Sequence, residues 1–256
     1  MNIKILIAAH KEYRMPKDPA YLPVFVGAAG KEKDFGYQRD DQGDNLSKKN
    51  PYYCELTALY WGYKNAEYDV LGLVHYRRHF RSLKKHNKDK FENILTSEEI
   101  EELISKYDAI MPKKRHYYIE TSRSHYLHAH HHEGLDNTEE ALKKLYPEYM
   151  PEWEKVMNSR SGHRFNMFIM KKDLADKYCK WLFDILFEVE RTTDISMWDK
   201  SEQRIYGYLS ERLIDVFLLH NNVNYYDAPY YFLEKQNWFI KGFNFLKRFI
   251  TKGKKK

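Results

Sequence analysis

Val70, Leu71, Leu73 and Val74 form a short apolar run interrupted only by Gly72, and the run passes straight into His75-Tyr76-Arg77-Arg78. Apolar positions without alternation read as a strand covered on both faces, which demands a sheet with a layer on either side. In an open α/β sheet a ligand sits outside the carboxyl ends of the strands, so His75, Tyr76, Arg77 and Arg78 stand where a ligand would be met. Two adjacent guanidiniums are planar, permanently charged forks that match phosphate oxygens. The plainer reading of the same tetrapeptide is a basic strand end facing solvent.

Ile3 to Ala9 is a second apolar run, ending in small residues that let a ligand approach the backbone and then in His10 and Lys11. Pro16 to Pro23 reads as a loop leading into Val24 to Val26. Gly36 to Asn50 is polar and carries Asp40-Asp41-Gln42-Gly43-Asp44-Asn45, where Asp40, Asp44 and Asn50 suit a ribose, a base or a cation; a solvated turn is the alternative. Pro51 then opens a helix to about Lys64, with Tyr53, Leu56 and Tyr60 at helical spacing. Phe80 to Leu95 is lysine-rich and reads as a mobile loop over the site. Thr96-Ser97-Glu98-Glu99 is a capping box that opens a helix to Lys106. Ala109 to Met111 is a short strand followed by Lys113, Lys114, Arg115 and His116, so a diphosphate lying across two strand ends would account for both cationic clusters.

In Ser124 to Glu133, His128 and His132 would lie one turn apart on a helix, which is metal-ligand spacing. There is no His-Glu-x-x-His arrangement and there are no thiol ligands, so no metal residues are assigned and a histidine-dependent metallohydrolase is only a competing reading. A helix facing an anionic or sugar ligand, with His130 reaching inward, is preferred. Further on, Asp173 caps a helix whose Leu174, Tyr178, Trp181, Ile185 and Val189 make a core stripe. Asp199-Lys200-Ser201-Glu202 reads as another capping box, starting a helix with Ile205, Leu209, Leu213 and Val216 on one face. Its first turn and polar face bring Glu202, Arg204, Glu211 and Arg212, although Glu202 as a cap partner and Glu211-Arg212 as a structural ion pair are the plain alternatives.

Composition narrows the partners. With 43 Lys+Arg against 37 Asp+Glu the chain is only mildly basic and lacks the dense cluster of a nucleic-acid binder. Aromatic residues make up 16%, including 22 Tyr and 5 Trp, and such rings suit sugar stacking and membrane interfaces. Cys54 and Cys179 read as reduced core thiols of a cytosolic protein. No signal-peptide pattern and no apolar stretch of 18 residues occurs, so secretion by that route and a membrane span are not expected. Beyond Trp238, Phe243, Leu246 and Ile250 recur at helical spacing among seven basic residues, and no acid follows Glu234. This predicts a basic amphipathic helix over 236–256, lying on the anionic cytoplasmic leaflet of the cell membrane.

Asn45-Leu46-Ser47-Lys48-Lys49-Asn50, Tyr53-Cys54-Glu55-Leu56-Thr57, Tyr60-Trp61, His75-Tyr76-Arg77-Arg78, Asn166 to Met170, Trp181-Leu182-Phe183 and Gly207 to Leu213 together resemble a bacterial family. Once classed as a domain of unknown function, it comprises glycosyltransferases of capsular and exopolysaccharide synthesis, with galactofuranosyltransferases among its members. The resemblance covers roughly residues 1 to 225. It implies a GT-A-like α/β fold with a mixed, mostly parallel sheet flanked by helices, occupying residues 1–235. A donor half would span about 1–120 and an acceptor half about 121–235. It also implies a nucleotide-sugar donor, UDP-linked by expectation, carrying galactofuranose or another hexose to a lipid-linked glycan acceptor.

GT-A enzymes commonly hold Mg2+ or Mn2+ on an Asp-x-Asp after a central strand. No Asp-x-Asp occurs here, and His75-Tyr76-Arg77-Arg78 takes that place, which leaves a divalent cofactor open. Donor contacts are thus expected from His10, Lys11, Asp40, Asp44, Asn50, His75, Tyr76, Arg77 and Arg78. Acceptor contacts are expected from His130, Asn166, Arg204 and Arg212, and, for transfer that inverts the anomeric centre, the general base is sought among Glu202, Glu211 and Asp199. A nucleotide- or glycan-binding protein without turnover is the alternative.

Overall fold

The apolar run at 70–74 is a strand, and it is the middle one of its sheet. The computed structural model describes residues 1–33 and 35–234, so the basic segment expected at 236–256 lies outside the described residues. The chain begins with β1 (Ile3–Ala9), β2 (Tyr21–Phe25), β3 (Gln38–Arg39), α1 (Asn50–Tyr53), α2 (Leu56–Asn65), β4 (Val70–His75) and β5 (Arg78–Phe80). It continues with α3 (Ser97–Ile104), β6 (Ala109–Pro112), β7 (Arg115–His116), α4 (Ser122–Leu127), α5 (His132–Leu145) and α6 (Met150–Asn158). The last elements are β8 (Ser161–Gly162), β9 (Phe168–Lys171), α7 (Lys172–Thr192), α8 (Ile205–His220), β10 (Tyr225–Ala228) and β11 (Tyr230–Phe232).

The main path of the sheet is β10-β6-β9-β4-β1-β2-β3. β1 runs parallel to β2 and β4, as does β10 to β6 and β3 to β2, whereas β9 is antiparallel to both of its neighbours. β5 folds back from β4 and pairs with β11. This is the mixed, mostly parallel sheet that the sequence led us to expect.

Alternation along β4 feeds two cores. Val70 and Val74 join Ile5, Ile7 and Ile169 under α3, while Leu71 and Leu73 join Leu6, Phe168 and Met170 under the larger layer of α2 and α5 to α8. Each fully buried aliphatic side chain contributes about 1.5–3 kcal/mol. Gly72 is small because a Cβ there would lie 2.7 Å from Ile5 Cδ1 and 3.0 Å from the Phe168 carbonyl oxygen, so its neighbours close over the bare backbone. The same alternation turns His75 toward α8 and Tyr76 toward the α3 side.

Several local expectations are corrected. β2 starts at Tyr21 and contains Pro23; β3 covers only Val24 and Phe25, so the outer edge at Pro23 is open and tolerates a missing N–H. The helix expected from Pro51 to Lys64 breaks at Cys54, whose φ of 54° and ψ of −128° separate α1 from α2. Phe80 to Leu95 is not a free loop over a site. Glu99 accepts hydrogen bonds from Ser82 Oγ and the amides of Leu83 and Lys84, Asn93 pairs with Asn87, and the segment is thereby strapped to α3. The capping box of Thr96 and Glu99 is present.

His128 and His132 fall on either side of the break between α4 and α5. His128 pairs with Glu120 at 2.6 Å and His132 with Asp136 at 2.8 Å, so the helical ligand spacing does not exist. α7 takes Lys171 as its N-cap, with Asp173 in the first turn. α8 begins at Ile205 behind Arg204; the Asp199 carbonyl instead closes a preceding turn by accepting from the amides of Glu202 and Gln203.

Candidate active site

A cleft of about 470 Å³ opens at the carboxyl ends of β1 and β4. Ala8 and His10 come from the end of β1, Val26 from the end of β2, and His75, Tyr76, Arg77 and Arg78 from the tip of β4. The junction of α1 and α2 contributes Asn50, Pro51, Cys54 and Glu55. Phe165 and the first turns of α8, with Arg204, Gly207, Tyr208 and Glu211, form the opposite wall.

The cleft is cationic by construction. Arg78 lies 3.8 Å over the Phe165 ring and 4.7 Å from that of Phe232, and burial lowers its pKa to about 10, which leaves it charged at neutral pH. Neither Arg78 nor Arg204 has a carboxylate within ion-pair distance among the described residues; Arg204 Nε sits 3.1 Å from Cys54 Sγ. Arg77 is 47% exposed and approaches Glu234 at 3.5 Å. Burial, with Lys11 and Arg77 nearby, pushes the His10 imidazole below its usual range. His75 is held down to about 3 by burial and then by Arg78, so it is neutral.

Two carboxylates face this charge. Glu211 Oε1 accepts from the Phe165 amide at 3.0 Å. Glu55 Oε1 accepts from Asn166 Nδ2 at 2.6 Å, and burial raises its pKa against the opposing pull of Asn166, Arg204 and Arg78. The backbone around them is strained: Cys54, Phe165 and Asn166 have φ of 54°, 80° and 53°. Positive φ at non-glycine residues costs of order 1–3 kcal/mol each and persists where the surroundings over-determine it, typically at functional sites.

The strained loop is anchored from below. His163 is 1% exposed and places Nδ1 against Asp215 Oδ1 and Nε2 2.9 Å from Asp227 Oδ1. Arg164, equally buried, donates to the Tyr117 hydroxyl, the Glu211 carbonyl, Ser122 and Asp215. The buried Arg164 guanidinium thus has the Asp215 carboxylate at 3.4 Å, while His163 joins that carboxylate to the more exposed Asp227.

Of the residues singled out in the sequence, the cleft brings together His10, Asn50, His75, Tyr76, Arg77, Arg78, Arg204 and Glu211, with Asn166 beneath Glu55. Lys11 lies beside it, 5.3 Å over the Tyr76 ring. Asp40 is fully buried, bonded to the amides of Gly27 and Ala28 and to Ser47, and Asp44 pairs with Tyr60; neither lines the cleft. His130 does not line the cleft but stacks at 4.1 Å on Tyr208, which does. Glu202 pairs with His131 at 2.9 Å, and Asp199 stays in its turn, so both are outside the cleft.

Arg212 is buried and donates to the Tyr208 carbonyl rather than pairing with Glu211. The cations after β6 are likewise apart, because β9 separates β6 from β4, and Lys114 opens on another cavity with Asp215 and Tyr225. Sequence reasoning missed Glu55, Cys54, Tyr208 and Phe165. The signal for Glu55 was its place in the Tyr53-Cys54-Glu55-Leu56-Thr57 motif, hidden by reading one continuous helix.

Among the described residues no cluster of three or more His, Cys, Asp or Glu is arranged to hold a metal. In the acidic loop Asp40 is spent on backbone amides and Asp41 on Arg39.

The family described as Domain of unknown function (DUF4422) matches residues 4–222. A solved structure titled as the apo form of the bifunctional glycosyltransferase WbbM superposes with a TM-score of 0.85 at 29% identity, covering 92% of this chain and 46% of that one. The chain therefore spans less than half of that structure. No curated protein sequence matches. Both matches agree with the resemblance carried by the motifs. The chain belongs to the DUF4422 family, and its fold is the GT-A-like fold of a glycosyltransferase.

Proposed function

We propose that the protein transfers a sugar from a nucleoside-diphosphate donor to a hydroxyl of a growing glycan. The observation that carries this reading is that two guanidiniums held in no salt bridge among the described residues, Arg78 and Arg204, share one cleft at the sheet's carboxyl edge with two carboxylates, Glu55 and Glu211. In this reading the diphosphate lies against Arg77, Arg78 and Arg204. Charge that develops on the leaving diphosphate meets fixed cations in a partly dry site, where preorganised charge is most effective. Neutral His75 donates Nε2–H to the Phe165 carbonyl at 2.7 Å and holds the loop that carries Asn166 and faces Arg78. A carboxylate takes the acceptor proton.

The donor is proposed to be UDP-linked, with galactofuranose or another hexose, and the acceptor a lipid-linked capsular or exopolysaccharide chain, as the resemblance implies. Because the arginines occupy the place of an ion-binding motif, transfer is proposed to survive a chelator; loss with EDTA and recovery with Mg2+ or Mn2+ would reject that. No helix among the described residues is long and apolar enough to cross a membrane. Attachment to the cytoplasmic leaflet through the basic segment after Glu234 is a proposal from sequence, tested by sedimentation with anionic liposomes at graded salt.

The test of function is incubation with a panel of UDP-hexoses and glycan acceptors. Release of UDP coupled to a lengthened glycan supports the reading. Saturable UDP binding with no release under any pairing supports a binding protein without turnover.

A further inference from the structure

We infer that Glu55 is the residue that accepts the acceptor hydroxyl's proton, and that Asn166 is the residue that positions it. The inference rests on the glycosyltransferase reading above and assigns the division of labour between its two carboxylates. Glu211 is engaged in architecture: its Oε1 holds the Phe165 amide, and Phe165 carries the ring on which Arg78 lies. Glu55 has a different setting. The break at Cys54 ends α1 and begins α2 just past Glu55, which therefore sits on a helix junction that lines the cleft.

No lysine or arginine forms an ion pair with Glu55 among the described residues; its nearest basic atom is His75 Nε2 at 3.8 Å, and that nitrogen's proton is committed to the Phe165 carbonyl. A carboxylate free of a salt bridge and 12% exposed keeps its basicity. Burial, the largest influence on it, raises its pKa from the ordinary carboxylate value.

Asn166 is built to aim it. Its Nδ2 donates to Glu55 Oε1 and also to the Gly207 carbonyl at 3.0 Å, while its Oδ1 lies 2.8 Å from Ser210 Oγ. With both ends of the amide engaged, its orientation is fixed, and its left-handed φ is the cost of that placement. In the step itself the acceptor O–H bond breaks and its proton passes to Glu55. The oxygen's electron pair forms the bond to the anomeric carbon. The bond from that carbon to the diphosphate breaks, and its pair leaves with the nucleoside diphosphate toward Arg77, Arg78 and Arg204. Glu55 returns its proton to water after the product departs.

The experiment uses the full chain, UDP as the binding probe, and the UDP-hexose and acceptor that the wild type turns over. Glu55→Gln is expected to lose 10²- to 10⁴-fold in kcat, within the usual range for a general base, and to keep its UDP-induced melting shift. Asn166→Ala is expected to move the acid limb of kcat/KM to higher pH, because it removes a hydrogen bond to the ionised carboxylate. Glu211→Gln should leave that limb in place. If Glu55→Gln does not fold, the comparison of Asn166→Ala with Glu211→Gln decides. Turnover of a folded Glu55→Gln near the wild-type rate overturns the inference, as does an acid limb that moves with Glu211→Gln and not with Asn166→Ala. A wild type that neither binds UDP nor transfers any sugar overturns the glycosyltransferase reading itself, a result distinct from an active Glu55→Gln.

Discussion

His75 and Phe165, 90 positions apart, are joined by a hydrogen bond of 2.7 Å from an imidazole N–H to a main-chain carbonyl. It ties the tip of the central strand to a loop in left-handed conformation, and it fixes the histidine as one neutral tautomer. With burial and then Arg78 holding its pKa down to about 3, His75 should not titrate in the physiological range. In an NMR titration its ring signals are expected to stay constant from pH 5 to 8. An inflection near the ordinary histidine value of about 6.5 would contradict the buried, neutral assignment.

His163 should behave in the opposite way. Burial opposes its charge, but hydrogen bonds and charge from Asp215 and Asp227 prevail and raise its pKa above 6.5. A raised folded-state pKa contributes stability that is fully present below the unfolded value and is lost as pH climbs through the folded value. Urea unfolding should therefore show a stability component declining on the alkaline side of pH 6.5, and His163→Gln should lack it. Removing the ring altogether leaves the buried Asp215 carboxylate without its imidazole partner, and His163→Ala is expected to cost about 3–5 kcal/mol. Unchanged pH dependence in His163→Gln would show that the carboxylates do not hold a cation there.

The break at Cys54 gives a reversed preference between two small residues. Inside a helix, alanine is more stabilising than glycine by about 1 kcal/mol. At a φ of 54° and a ψ of −128° the order should invert, with Cys54→Gly more stable than Cys54→Ala by about 1 kcal/mol. Thermal denaturation of the two variants reads this directly. If the alanine variant is the more stable, residues 51 to 64 form the unbroken helix that spacing alone suggests.

Much of the architecture was legible in particular residues. The Val70–Val74 run, the Ile3–Ala9 run and the Thr96–Glu99 box express local pattern, and each became the element it predicted. The tip at His75 to Arg78 was legible because a strand end fixes where side chains must go. Glu55 was not, because its position depends on a backbone conformation that only the packed surroundings enforce; Tyr53, stacked on Tyr206 at 4.5 Å, and Asn50, bonded to the Cys54 carbonyl, supply that enforcement. Glu202 and Asp199 misled for the complementary reason. Their spacing satisfies a capping rule, yet the helix begins after them, and tertiary pairing with His131 claims Glu202.

The most direct test of the account is the melting temperature of the wild type and of Arg78→Ala with and without UDP. A ligand at about 100 times its Kd stabilises the native state by about 2.7 kcal/mol. The wild type is predicted to show a saturable upward shift. Arg78→Ala, which loses a charge-assisted contact to phosphate worth about 2–5 kcal/mol, should show little or none at the same UDP concentration. Absence of any shift in the wild type, or equal shifts in both proteins, would contradict the assignment of this cleft as the diphosphate site.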